Sequence, residues 1–205
     1  MAMNTNRKVI VALWLLALAT PVAAESALSG LAERAKDSSI DANVFVQDAN
    51  EEVLRLLQQA PTDADLAAIP DLIDAFHRSQ TDKQAAVFKV LAHLLAVSHI
   101  HRTAILDTAT EALQSPSPSV RIAALDLLGR SEDAAVVPHL MASLSDPDEG
   151  VRFQALYGLS FLIDKGEHEE LLQAIAAVVT DENERVRDLA RTLMRLAAEA
   201  EDKNE

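Results

Sequence analysis

The chain has 205 residues, no cysteine, five glycines and seven prolines, and 18 basic against 32 acidic side chains give a net charge of −14. A hydrophobic fraction of 49% with only 3% aromatics is too apolar for a disordered chain, and scarce glycine beside abundant alanine and leucine favours helices over a sandwich or barrel. The missing cysteines exclude a disulfide scaffold, thiolate metal centres, a cysteine nucleophile and a lipid-modified cysteine anchor, and the acidic balance argues against nucleic acid, whose phosphates want a lysine and arginine footprint.

Residues 1–24 have the layout of a secretory signal peptide. Arg7 and Lys8 precede an uncharged apolar run from Val9 to Thr20, Pro21 breaks it, and Val22-Ala23-Ala24 offers the small residues that a signal peptidase reads. The alternative is an uncleaved anchor, but the run is short of the ~20 residues a membrane-crossing helix needs. Cleavage leaves Glu25 as the first residue of an exported, periplasmic or secreted protein. The remaining 181 residues carry 16 basic and 32 acidic side chains, a charge of −16, and lose the sole tryptophan, Trp14.

Residues 25–62 are expected to form an N-terminal helical cap. Ser26 to Lys36 and Asn50 to Gln59 suit short helices, joined by a more polar stretch containing Val44-Phe45-Val46. Asn50 followed by Glu51 and Glu52 looks like a helix start, with acids at the positive end of the dipole. Thr62 with Asp65 predicts a capping box into the next region.

From residue 63 to about 200 the chain repeats itself. SVRIAALDLLG from Ser119, GVRFQALYGLS from Gly150 and RVRDLARTLMR from Arg185 share a frame in which Val120, Val151 and Val186 are position zero. Arginine follows at +1 (Arg121, Arg152, Arg187), alanine stands at +4 (Ala124, Ala155, Ala190), and Leu128, Leu159 and Met194 stand at +8. Small at +4 and large at +8 mark one closely packed helix face. A second amphipathic helix precedes each, with apolar residues at −14, −11 and −7, and Ser-Pro, Asp-Pro-Asp and Asp-Glu-Asn turns intervene. A fourth unit, first in the chain, takes Lys83 as zero. The anchors are separated by 37, 31 and 35 residues. Residues 201–205 form a charged tail.

These residues, above all the VPHL and DPDEGVRFQAL segments from Val136 and their neighbours one unit away, resemble the HEAT repeat in the short form shared with bilin-lyase-like HEAT proteins. The resemblance implies an all-α fold, an α-solenoid of about four helical hairpins. It says little of function, because such repeats serve many partners. Gln84 in place of the helix arginine, and Ser115 in place of the turn aspartate, predict weaker coupling between units one and two.

The arginine series could be a functional row, but repeated stacking geometry favours a structural ladder in which each guanidinium reaches a turn acid or carbonyl in an adjoining unit, Asp146 and Asp181 being the obvious partners. Histidines His93, His99 and His101 cluster in sequence, but their spacing does not share a helix face, so no metal site and no cofactor are assigned to them. The di-iron hydroxylases that the HEAT resemblance brings in need several His-Glu pairs, and only His168-Glu169 has that sequence. No nucleophile elbow, phosphate-binding glycine loop or HExxH occurs.

Positions +2 and +6 of the second helices should point outward. They place Ile122, Phe153 and Tyr157 in an apolar spot rimmed by Lys89, Asp126 and Asp188, the anatomy of a partner-binding patch. In the other reading the phase is slightly off, and these residues pack against the next unit. The function expected is an exported, non-catalytic scaffold for a protein partner, cationic by charge complementarity, with no nucleic acid bound. The alternative is a metal-binding or enzymatic protein using the histidine cluster. A glycan binder is disfavoured by the scarcity of aromatics.

Overall fold

A computed structural model of the chain describes residues 26–162 and 168–201. The predicted signal peptide at 1–24, residues 202–205 of the tail and the side chain of His168 lie outside the described residues. Ser26 accepts a hydrogen bond from the Ser29 N–H and starts α1, Ala27–Lys36, which buries Leu28, Leu31, Ala32 and Ala35. Asp41 then accepts from the N–H groups of Asn43 and Val44 and starts α2, Ala42–Gln58. This corrects the short helix expected from Asn50, because Val44–Val46 and Asn50 all lie within α2. A true aspartate cap, with Phe45, Ala49 and Leu56 buried on one face, decides the start. The acids at 51 and 52 sit mid-helix, where Glu52 accepts from Arg55 Nε at 2.7 Å.

Thr62 and Asp65 form the capping box, opening α3, Asp63–Ala67. Asp65 is buried, and Arg55 grips it with two bonds of 3.1 and 2.8 Å. Burial raises its carboxyl pKa, but the Thr62 N–H, Arg55 and the Thr62 hydroxyl together outweigh burial and hold it below the usual carboxylate value. Beyond lie α4 (Ile69–Arg78), α5 (Thr81–Leu95), α6 (Arg102–Ala112), α7 (Pro118–Arg130), a 3₁₀ turn (Ala134–Val136), α8 (Val137–Ser143), α9 (Glu149–Ser160), α10 (His168–Ala177) and α11 (Glu184–Glu201). Prolines stand in the first turns of α4, α7 and α8, where their missing N–H costs nothing. The start of the predicted tail is helical, and Arg195 pairs with Glu199 at 3.2 Å within α11. No strand occurs among the described residues.

The helices pair as four hairpins, α4 with α5, α6 with α7, α8 with α9 and α10 with α11. The segment before them packs the same way, α1 on α4 and α2 on α5, and is in effect a fifth hairpin. Second helices form an unbroken row, α2 to α5 to α7 to α9 to α11, while the first helices beyond α4 barely touch one another. A stack packed more tightly along one row bends toward that row. The +4 positions, Val87, Ala124, Ala155 and Ala190, are fully buried within the stack, as are Leu72, Ala109, Leu140 and Ile175 at −11. α7 and α9 cross at close range. A Cβ on Gly129 would lie 2.6 Å from the Cα of Gly158, so only glycine fits.

Polar ties join the hairpins. Lys83 is 1% exposed, and its ammonium donates to the Asp37 carbonyl at the end of α1 at 2.6 Å. The first hairpin is thereby capped from the second, which explains lysine where other units carry valine. Farther on, Arg121 donates from Nε and Nη2 to both carboxylate oxygens of Asp146, at 2.8 and 2.7 Å, and from Nη1 to the Ser115 carbonyl. Arg152 repeats this with Asp181, at 2.8 and 2.9 Å, and with the carbonyls of Asp146 and Pro147. The expected ladder is present in two rungs, at Arg121 and Arg152, each joining two turns, whereas Arg187 bonds to the carbonyls of its own turn. In the first unit Gln84 Nε2 donates only to the Phe76 carbonyl of its own hairpin. A shallow cleft of about 400 Å³ opens at that junction, between Phe76, Gln84, Glu111 and Ser115.

Arg152 and Asp181 side chains are each 8% exposed. Hydrogen bonds from Arg152, more than any other influence, hold the Asp181 carboxyl below its ordinary value against the opposing effect of burial. Asp181→Asn leaves the buried guanidinium with only the exposed Glu182 carboxylate at 3.6 Å and two carbonyls, and should lower unfolding free energy by about 3 kcal/mol. Asp126→Asn, at the exposed Arg130 pair, should change it by roughly 0.5 kcal/mol. Because the folded pKa of Asp181 is depressed, its contribution is complete above pH ~4 and is lost as pH falls through the folded value. Denaturant titrations of wild type and Asp181→Asn should therefore differ most at neutral pH and converge in acid. A gap that stays constant with pH contradicts the rung.

Candidate protein-interaction face

The ladder sets the phase of the second helices and so decides which side chains can face outward. Ile122 at +2 is half-buried in the junction between α7 and α9. A Cβ on Gly150 would meet its Cδ1 at 3.1 Å, so the glycine leaves room for it. Phe153 at +2 is half-buried too, beneath the Arg185 guanidinium, which lies 4.5 Å from the ring centroid. In both units, +2 meets −1 of the next hairpin. The apolar spot expected from Ile122, Phe153 and Tyr157 is thus not continuous, because two of the three residues serve the junctions.

Position +6 does face solvent. Tyr157 is 38% exposed and stacks edge-on against Phe161, 36% exposed, with ring centroids 5.0 Å apart and planes at 81°. Lys89 is exposed, and Asp126 is half-buried, accepting from Arg130 Nε at 2.9 Å and from Gln154 Nε2 at 3.2 Å. Asp188 is exposed and 3.9 Å from Arg191. Phe161 was not among the expected residues. It stands one helical turn beyond Tyr157, just past the end of α9, and the i, i+4 spacing was the signal for it.

Taking +6 and +10 together, the row runs Lys89/His93, Asp126/Arg130, Tyr157/Phe161 and Thr192/Leu196 along the second helices. The other large exposed apolar side chains follow the same edge. Leu54, Leu57, Val97, Ile100 and Leu196 lie at the C-terminal ends of second helices or in the turns after them, and Val44 is the exception among the described residues. A run of exposed apolar groups along one edge, with polar groups between, is a surface suited to a partner chain.

The histidines are not gathered. His93 Nδ1 donates to the Lys89 carbonyl at 2.8 Å, His99 is exposed in the α5–α6 turn, and His101 precedes α6 with its N–H toward Ser98 Oγ. Among the described residues no group of three or more histidine, aspartate or glutamate side chains is placed to hold a metal ion. No described helix is long and apolar enough to cross a membrane.

A family model for HEAT repeats matches residues 69–160 and again residues 106–195. Among solved structures, Kap121p bound to Ste12p aligns with a TM-score of 0.63 at 18% identity, over 94% of this chain and 21% of that one. The chain thus spans about a fifth of that protein's length, and the likeness shows the fold. An engineered protein aligns with a TM-score of 0.45 at 15% identity, over 89% of this chain and 94% of its own. No curated protein matches the sequence significantly.

Proposed function

Since this chain belongs to the HEAT-repeat family, we propose that it is an exported, non-catalytic scaffold that docks a protein partner along its second-helix edge. Tyr157 and Phe161 are the anchors, with Lys89 and Asp126 as polar neighbours along the same row. The observation that carries this reading is the exposed, mutually stacked aromatic pair in a chain with few aromatics. Such rings offer large contact area at little entropic cost, and aromatic side chains dominate interface energetics. HEAT arrays commonly present extended surfaces to protein partners without needing a pocket. The acidic balance favours a cationic partner through steering. Export is supported by the Arg7-Lys8 pair, the apolar run to Thr20 and the alanines before Glu25.

Crosslinking in the cell envelope followed by capture should retrieve a partner with wild type. The double variant Tyr157→Ser, Phe161→Ser should reduce that capture tenfold or more, while unfolding free energy stays within about 0.5 kcal/mol. Undiminished capture by a folded double variant contradicts the docking site. Mass spectrometry of the protein recovered from the envelope should place its N-terminus at Glu25, and a retained segment 9–20 contradicts cleavage.

A further inference from the structure

Among the described residues, the two ends of the ladder are complementary and unfilled. Arg187 is the third arginine of the series, and its Nη1 donates to the carbonyls of Asp181 and Glu182 at 2.7 and 2.8 Å. Arg152 makes the same pair of bonds to its own turn, to Asp146 and Pro147, while its Nε and Nη2 grip an aspartate of the next hairpin. Arg187 is therefore held in the pose of a rung. Its Nε and Nη2 have no carboxylate among the described residues, and Asp181 is already taken by Arg152. The two filled rungs in the same molecule define what this fork accepts, the carboxylate of an aspartate in a helical-hairpin turn.

The opposite end carries such an aspartate. Asp146 and Asp181 each accept at Oδ1 from the N–H two residues on, at 2.9 and 2.8 Å, and offer both oxygens to an arginine. Asp37 lies between the two helices of the first hairpin and makes the same local bond, Oδ1 accepting from the Ser39 N–H at 2.8 Å and from the Ser39 hydroxyl at 2.7 Å. It is exposed, and among the described residues no arginine forks its two oxygens; the Ser39 bonds, and behind them the charge of the Lys83 ammonium that donates to the Asp37 carbonyl, hold its carboxyl below the usual value.

We propose that a second copy of this chain docks head to tail, its first hairpin stacking on α10 and α11 so that its Asp37 fills the Arg187 fork. The second-helix row then continues from α11 of one copy to α2 of the next. This contact is heterologous, so it passes from copy to copy, as a ring or an open chain according to the rotation between copies. It is also weaker than the internal junctions. Position +5 is buried leucine at Leu125 and Leu156 but exposed Arg191 in the last unit, so charge carries more of the contact and salt weakens it. The interaction is independent of the Tyr157–Phe161 site.

Sedimentation equilibrium of the full chain tests it. In low salt the weight-average mass should rise with concentration, and added salt should reverse the rise. Asp37→Arg and Arg187→Asp should each weaken association at least tenfold. Mixed in equal amounts they should associate again, because the intact fork of the first accepts the intact aspartate of the second. Asp37→Asn removes the carboxylate charge, keeps an Oδ1 acceptor for Ser39 and adds no cation beside Lys83, so its circular dichroism should match wild type while its association weakens; it carries the test if a charge-reversal variant does not fold. Tyr157→Ser, Phe161→Ser should associate as wild type does, which separates this contact from partner docking. A concentration-independent monomer mass, or association that a folded Asp37→Arg or Asp37→Asn variant leaves unchanged, overturns the proposal.

Discussion

Every rung of the ladder places one guanidinium between two turns, and the geometry of a three-way donor leaves little freedom in how the turns meet. Nη1 holds the carbonyls of its own turn, and Nε and Nη2 hold both oxygens of the next aspartate. The spacing and rotation of successive hairpins are thereby fixed at their ends by directed bonds. The apolar core could tolerate sliding of one helix along another, since hydrophobic burial has no direction. Ladder and core must agree, and the agreement appears as alanine at +4, where helices approach closely, and as the glycine pair where α7 crosses α9.

The face available to partners follows from that register. With the turns locked, +2 of α7 and of α9 meets −1 of the following hairpin, so Ile122 and Phe153 are half-covered whatever their hydrophobicity would suggest. Positions +6 and +10 lie at the rim of the junction, where Tyr157 and Phe161 reach solvent while Asp126 still accepts from Gln154 of α9. In α7 they hold an ion pair, Asp126 with Arg130, and in α9 they hold the aromatic pair. Identical backbone positions thus carry different chemistry from unit to unit, which lets a repeated scaffold acquire a specific surface.

Much of this was legible in the sequence because burial constrains residue size. The repeat frame, the −11 and +4 positions and the arginine partners all follow from residue types recurring at fixed offsets. The N-terminal hairpin was harder to see, for a physical reason. Asn50-Glu51-Glu52 imitates a helix start, and only the pairing of the Asp41 cap with buried Phe45 shows where α2 begins. Covering of the +2 side chains depends on the angle between successive hairpins, which one-dimensional periodicity does not contain. The reason for lysine at position zero of the first unit was not legible, because the carbonyl it serves, that of Asp37, is distant in sequence. Phe161 escaped notice by standing just outside the helix that orients it.

If directed rungs, more than apolar packing, couple neighbouring hairpins, cooperativity should break where a rung is missing. α5 packs against α7 as α7 does against α9, yet Gln84 reaches only its own turn. Native-state hydrogen exchange in increasing denaturant reads this directly. The account predicts two groups of amides with distinct opening free energies, α1 to α5 in one and α6 to α11 in the other. A single opening free energy shared by α1 through α11 would contradict it.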